Sequence, residues 1–218
     1  MIEILFKGCC NWMLNPKTLL SIITAIVAII ALFQTKTQIK LNNKQFLYER
    51  REKIYTYTIE LLNTYALSKK MEQSAPTNYS DKICCIESKC IDLTRNALLV
   101  SLYKSFKEPF DTDLAFNMSS TMLELKMLSE EVIIEFGDRK YKGISRFLDA
   151  YAEMLNLLYK LKIAIIINIK NNATTSETPF SEEKWQKFIE TKNELEASYH
   201  ELNSSNELKN FKNEIKLK

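Results

Sequence analysis

One histidine, five cysteines and two pairs of adjacent carboxylates are the residues from which a reaction centre would have to be assembled. His200 stands alone on a charged stretch. General acid–base work near neutral pH leans on histidine, and with no second one there is no Glu-x-x-His pair for a di-iron bundle. Cys84, Cys85 and Cys90 lack the C-x-x-C spacing of a zinc site. On a helix they read as small apolar core side chains. Cys9 and Cys10 are adjacent, a weak signal for acylation. An odd cysteine count in no disulfide spacing fits a reducing compartment. Glu130–Glu131 and Glu182–Glu183 are sequence neighbours, and neighbours on a helix diverge by about 100°, so neither is an acid–base pair. No P-loop, nucleophile elbow or zincin helix is present. The inventory predicts a protein that is not an enzyme and needs no cofactor.

Two basic clusters offer a different chemistry. "GDRKYKG", residues 137–143, holds Arg139, Lys140 and Lys142 between two glycines. It reads either as a phosphate contact, to lipid headgroups or nucleic acid, or as a soluble turn between two helices. Residues 36–53 carry six positive and two negative charges. Of these, Lys36 and Lys40 lie closest to the preceding apolar run, within the reach of anionic lipid. The net charge of +3 is too small to favour nucleic acid as the partner.

That apolar run, "KTLLSIITAIVAIIALFQTK", has eighteen uncharged residues between Lys17 and Lys36. Ten of the fifteen residues from Leu19 to Phe33 are Leu, Ile, Val or Phe. On an insertion scale they contribute about −3 to −6 kcal/mol. Eighteen residues rise about 27 Å, and flanking lysines can snorkel to complete a hydrocarbon core of ~30 Å. Asn15 is placed as an N-cap, Pro16 suits the first turn, and Trp12 sits where an interfacial ring would anchor. A cleaved signal fits less well, with a late apolar run, a scarcely basic start and no A-x-A site. A core helix would show a polar face, and this segment has none. The excess of Lys and Arg after the span predicts a single pass of the inner membrane with the C-terminal body in the cytoplasm. Ser21, Thr24, Ala25, Ala28 and Ala31 form a small-residue stripe along the span. The stripe suits close helix approach in lipid, hence self-association, or simply reflects how common Ala and Ser are in spans.

Three glycines and four prolines in 218 residues leave little room for the turns of a β fold. The expected class is all-α. Residues 1–16 form an interfacial segment and 17–36 the transmembrane helix. Residues 37–74 form a stalk helix that continues it to about Gln73, with Leu47, Ile54, Leu61 and Tyr65 on one face. Residues 81–218 form an antiparallel bundle of four to five helices. Within it the periodicity predicts helices over about 81–106, 113–136 and 144–170. A last helix opens with the staple Phe180, Ser181, Trp185, and a tail from Leu208 to Ile215 extends it. "KIAIIINIK" at 162–170, apolar all round but too short to span, is expected to be the most buried stretch.

"FLYERREKIYTYTIELL", residues 46–62, places the basic pair Arg50 and Arg51 just before Ile54 and Tyr55, after a single span. This resembles uncharacterised small single-pass membrane proteins of bacteria, some of which occur in phage-defence loci. The resemblance implies a membrane protein, with phage defence as a role, and carries no catalytic residues. The expected function is therefore a non-catalytic sensor or adaptor that self-associates and engages a cytoplasmic protein partner. The alternatives are a membrane-damaging effector of abortive infection and a membrane-tethered nucleic-acid binder.

Overall fold

The computed structural model describes residues 16–71, 79–137, 140–170 and 182–216. Among them every regular element is a helix: α1 (Pro16–Lys70), α2 (Tyr79–Leu93), α3 (Val100–Lys107), α4 (Thr112–Phe136), α5 (Lys142–Lys170), α6 (Glu182–Ser204) and α7 (Glu207–Lys216). The expected all-helical class and the long apolar N-terminal helix are both present. Asn15, Trp12, Cys9, Cys10, Phe180 and Ser181 lie outside the described residues.

The chain divides into two compact units between Arg50 and Arg51, inside α1. The first contains the apolar run. Its ten large apolar side chains from Leu19 to Phe33 are 47–71% exposed. The helix is long and apolar enough to cross a membrane. Ser21 and Thr24 donate to the Lys17 and Leu20 carbonyls, so neither hydroxyl needs water.

The second unit begins at Arg51, within the residues expected as the stalk over 37–74. Residues 51–70 are a wall of the helical body. Ile54, Thr58, Leu61, Leu62, Tyr65 and Ser68 are buried at helical spacing. The remaining helices share their core. α5 is the central element and contacts α2, α4, α6 and α7. Its buried residues include Phe147, Tyr151, Met154, Leu158, Leu161 and Ile165 at helical spacing, with Ile144, Leu148 and Leu155 widening the stripe. Each fully buried side chain of this size contributes roughly 1.5–3 kcal/mol.

Four expectations change. The helix predicted over 81–106 is two, α2 and α3, although no Gly or Pro separates them. Thr94 turns its hydroxyl back to the Cys90 carbonyl at 2.7 Å, and Asn96 Oδ1 accepts from Leu99 N at 2.8 Å. Such local side-chain bonds compete with the helical ladder. Asn96 Nδ2 also donates to Thr64 on α1 at 2.9 Å, which fixes the break in place. The tail is a separate α7, because Ser205 Oγ accepts from Glu207 N. Of the three cysteines expected in the core, Cys90 is buried, Cys85 half-buried and Cys84 exposed. The end of α5 is not the most buried stretch: Ile165 is buried, but Ile167 and Ile169 are 45% and 67% exposed. A helix rotates residues around its axis whatever their polarity, and past Ile165 no described residue of α5 is buried.

α4 follows its prediction closely. Asp111 Oδ1 caps it by accepting from Asp113 N and Leu114 N, each at 3.0 Å. Gly137 ends it at φ 81°, where a side chain would be strained.

Candidate functional site

The described residues place the predicted functional side chains in separate settings. In the first unit Ser21, Thr24, Ala25, Ala28 and Ala31 are exposed along one helix, as are Lys36 and Lys40. In the second unit the 137–143 loop does not present three free cations. Arg139 lies outside the described residues. Lys140 is ion-paired with Glu214 and stands over the Tyr141 ring, 5.5 Å from its centroid. Lys142 is exposed on the first turn of α5.

What the fold does bring together is Arg51, the second residue of the basic pair, and its neighbours. Ile54 and Arg51 share the inward face of α1, one turn apart. Arg51 Nε donates to Glu135 Oε1 at 3.0 Å, with both side chains only 10–12% exposed. Its guanidinium also covers the Phe136 ring at 4.8 Å. Phe136, Tyr141 and Phe211 meet edge to face at 5.0–5.2 Å, and Tyr55 stacks on Phe211 at 6.5 Å. Four segments therefore converge on one seat: α1 through Arg51 and Tyr55, α4 through Glu135 and Phe136, the turn before α5 through Tyr141, and α7 through Phe211. The Tyr141 hydroxyl is buried, makes no hydrogen bond of ordinary geometry and lies beside Glu214. Burial, then the Glu214 carboxylate, pushes it up to about 12, so it stays a neutral phenol. Arg50 stands over the Phe46 ring, 5.4 Å from its centroid.

The same end carries a close approach. Glu207 Oε2 accepts from Ile144 N at 3.2 Å, at the start of α5 where free N–H groups favour a carboxylate. A methyl at Gly143 would lie 2.8 Å from that oxygen. Burial raises the Glu207 carboxyl, against the backbone bonds that lower it.

At the other end of the α1 wall, Lys69 bonds Glu196 at 2.5 Å and His200 Nε2 at 2.7 Å. A lysine ammonium has no lone pair, so Nε2 is the acceptor. The Lys69 hydrogen bond holds the Glu196 carboxyl below its usual range. His200 is 59% exposed; its described partners are Lys69, Glu196 and the Tyr199 ring, 5.4 Å away between centroids. Nearby, Thr64, Leu67, Ser68, Met71, Asp92 and Arg95 line an open groove of about 300 Å³. Burial raises the Cys90 thiol far above its ordinary value, which suits a core side chain and not a nucleophile. Among the described residues no three His, Cys, Asp or Glu side chains are grouped to hold a metal.

The Arg51 seat escaped the sequence reading because its parts lie up to 160 residues apart. One signal was legible: an arginine in phase with Ile54 and Leu61 on an otherwise apolar stripe. No protein-family model, no curated protein and no solved structure matches this chain.

Proposed function

We propose that the protein is a single-pass membrane protein whose helical bundle lies on the cytoplasmic side and acts as a non-catalytic adaptor or sensor. It works through self-association and a protein partner. The observation that carries this reading is the exposure of every large apolar side chain from Leu19 to Phe33. Fifteen residues of that composition facing water would oppose solubility, whereas in lipid they supply the insertion energy. The resemblance of residues 46–62 supports phage defence as the setting, which plating efficiency in a host expressing the chain would test.

Localisation is tested in two arms. Alkaline carbonate should leave the chain in the membrane pellet, and extraction of the intact chain overturns the anchor. With Cys9→Ser and Cys10→Ser, an impermeant maleimide should label exposed Cys84 only after the cells are opened. Labelling of intact cells overturns the orientation.

A second reading, a membrane-damaging effector, draws on exposed Ile167 and Ile169. It requires dye leakage on induction, and growth arrest with an intact membrane potential excludes it.

A further inference from the structure

α4 has two apolar faces, and only one is used by the fold. Met118, Leu125, Leu128 and Val132 are buried. On the opposite face Phe116, Leu123, Met127 and Ile134 are 75%, 60%, 50% and 82% exposed. Their spacings of seven, four and seven place all four within about 40° of one line along the helix. With Ser120 and Glu130, both exposed, they complete a row at alternating three- and four-residue steps: 116, 120, 123, 127, 130, 134. That is the seam of a two-stranded coiled coil.

We propose that this row is a homodimer interface, formed by the α4 helices of two copies packed side by side in parallel. The orientation rests on the membrane-anchored reading above. Glu135, at the end of α4, binds Arg51. Parallel pairing therefore puts both Arg51 residues at one end, as two anchors in one bilayer require. Antiparallel pairing puts them at opposite ends.

The flanking charges fit the parallel pair. The residues bordering the row on one side are Ser119, Lys126 and Ile133, and on the other Asn117, Glu124 and Glu131. In parallel register Lys126 faces the second copy's Glu131, and Ser119 faces its Glu124. No like charges oppose each other across these edges. Lys126 is half-exposed and already bonded to Glu153, and that bond holds it at the edge of the seam. Glu130 alone is unfavourable, because it meets its own copy within the seam. A polar residue at such a position fixes register at a cost in stability.

The test uses full-length chain in native membranes, with the five native cysteines changed to serine and one cysteine introduced at a time. Circular dichroism of each purified variant checks that it is folded. Phe116→Cys, Leu123→Cys and Ile134→Cys should each give disulfide-linked dimer on mild oxidation. Lys160→Cys, on exposed α5 surface, should not. Glu130→Leu should raise the dimer yield, and Leu123→Glu with Met127→Glu should abolish it. In an antiparallel pair residues 116 and 134 of one copy face each other's opposite, about 27 Å from their own twins. Crosslinks only on mixing Phe116→Cys with Ile134→Cys would overturn the parallel arrangement. No crosslink at any of the three positions, alone or mixed, in folded chain that pellets after carbonate, would overturn the interface while leaving the anchor intact. Extraction by carbonate of chain that still crosslinks would overturn the anchor and leave the interface.

Discussion

Ile26 and Leu61 are similar in size and lie on the same helix, yet 51% of Ile26 is exposed and none of Leu61. Around Ile26 the apolar residues occupy every face. Around Leu61 they occupy one, and Glu52, Lys53, Thr56 and Asn63 face water. The comparison teaches how one helix carries two different apolar patterns. A span needs all-round apolarity because lipid touches it on every side. A wall of a helical body needs a stripe because protein touches it on one. The change occurs near Arg50 and Arg51 without Gly, Pro or any other helix breaker.

The largest effect that would break the comparison is loss of the span. Ile26→Arg with Ile30→Arg costs about 5–7 kcal/mol on the insertion scale, enough to cancel its apolar gain. Carbonate should then release the chain. Glu52→Arg with Thr56→Arg, on the exposed side of the wall, should leave it in the pellet.

Next in size is the core. Leu61→Ala should cost about 2–5 kcal/mol in the unfolding of the body, measured by denaturant titration in detergent. Ile26→Ala should not change that transition. Equal effects would show that the two segments share one environment.

The third effect sharpens the boundary. Arg51→Ala leaves Glu135 nearly buried without its guanidinium, at a cost of about 3 kcal/mol. Arg51→Lys keeps the charge but not the planar stack on Phe136, and should fall between. Glu52→Ala, on the exposed side of the same helix, should leave the body's stability unchanged.

The smallest effect concerns the far end of the wall. Glu196 and Lys69 are each about one-third exposed, so Glu196→Gln should cost less than about 1 kcal/mol at neutral pH. The sign follows from the lowered carboxyl. Its contribution is full above the ordinary value of 4.5 and is lost as pH falls through the lower folded value. The gap between parent and variant should close on acidification. A gap that widens would reverse the assignment.

Much of this fold is legible in the residues themselves. The apolar run, the approximate bounds of α4 and the inward stripe of α5 follow from composition and period. The break at Thr94–Leu99 does not. It is made by the side chains of Thr94 and Asn96, and Asn96 is committed to Thr64, 32 residues away. The seat is likewise hidden, since nothing local to Arg51 names Glu135 as its partner. The stripe through Phe116 and Ile134 shows another limit. Period identifies apolar faces, but with two on α4 it cannot say which one the fold uses. The 137–143 loop reads more readily as a turn than as a ligand contact, and the tie from Lys140 to Glu214 required α7 to be placed.

Phe211 is fully buried among Tyr55, Phe136 and Tyr141, and it is the last of the four to be synthesised. During translation Arg51 and Tyr55 emerge while their closing ring has yet to be made. The body's first-made edge therefore stays unsealed until α7 arrives, long after the apolar segment is available for insertion. A nascent chain halted before α7 would carry the apolar run and an unsealed body, a state that proteolysis distinguishes from the completed molecule.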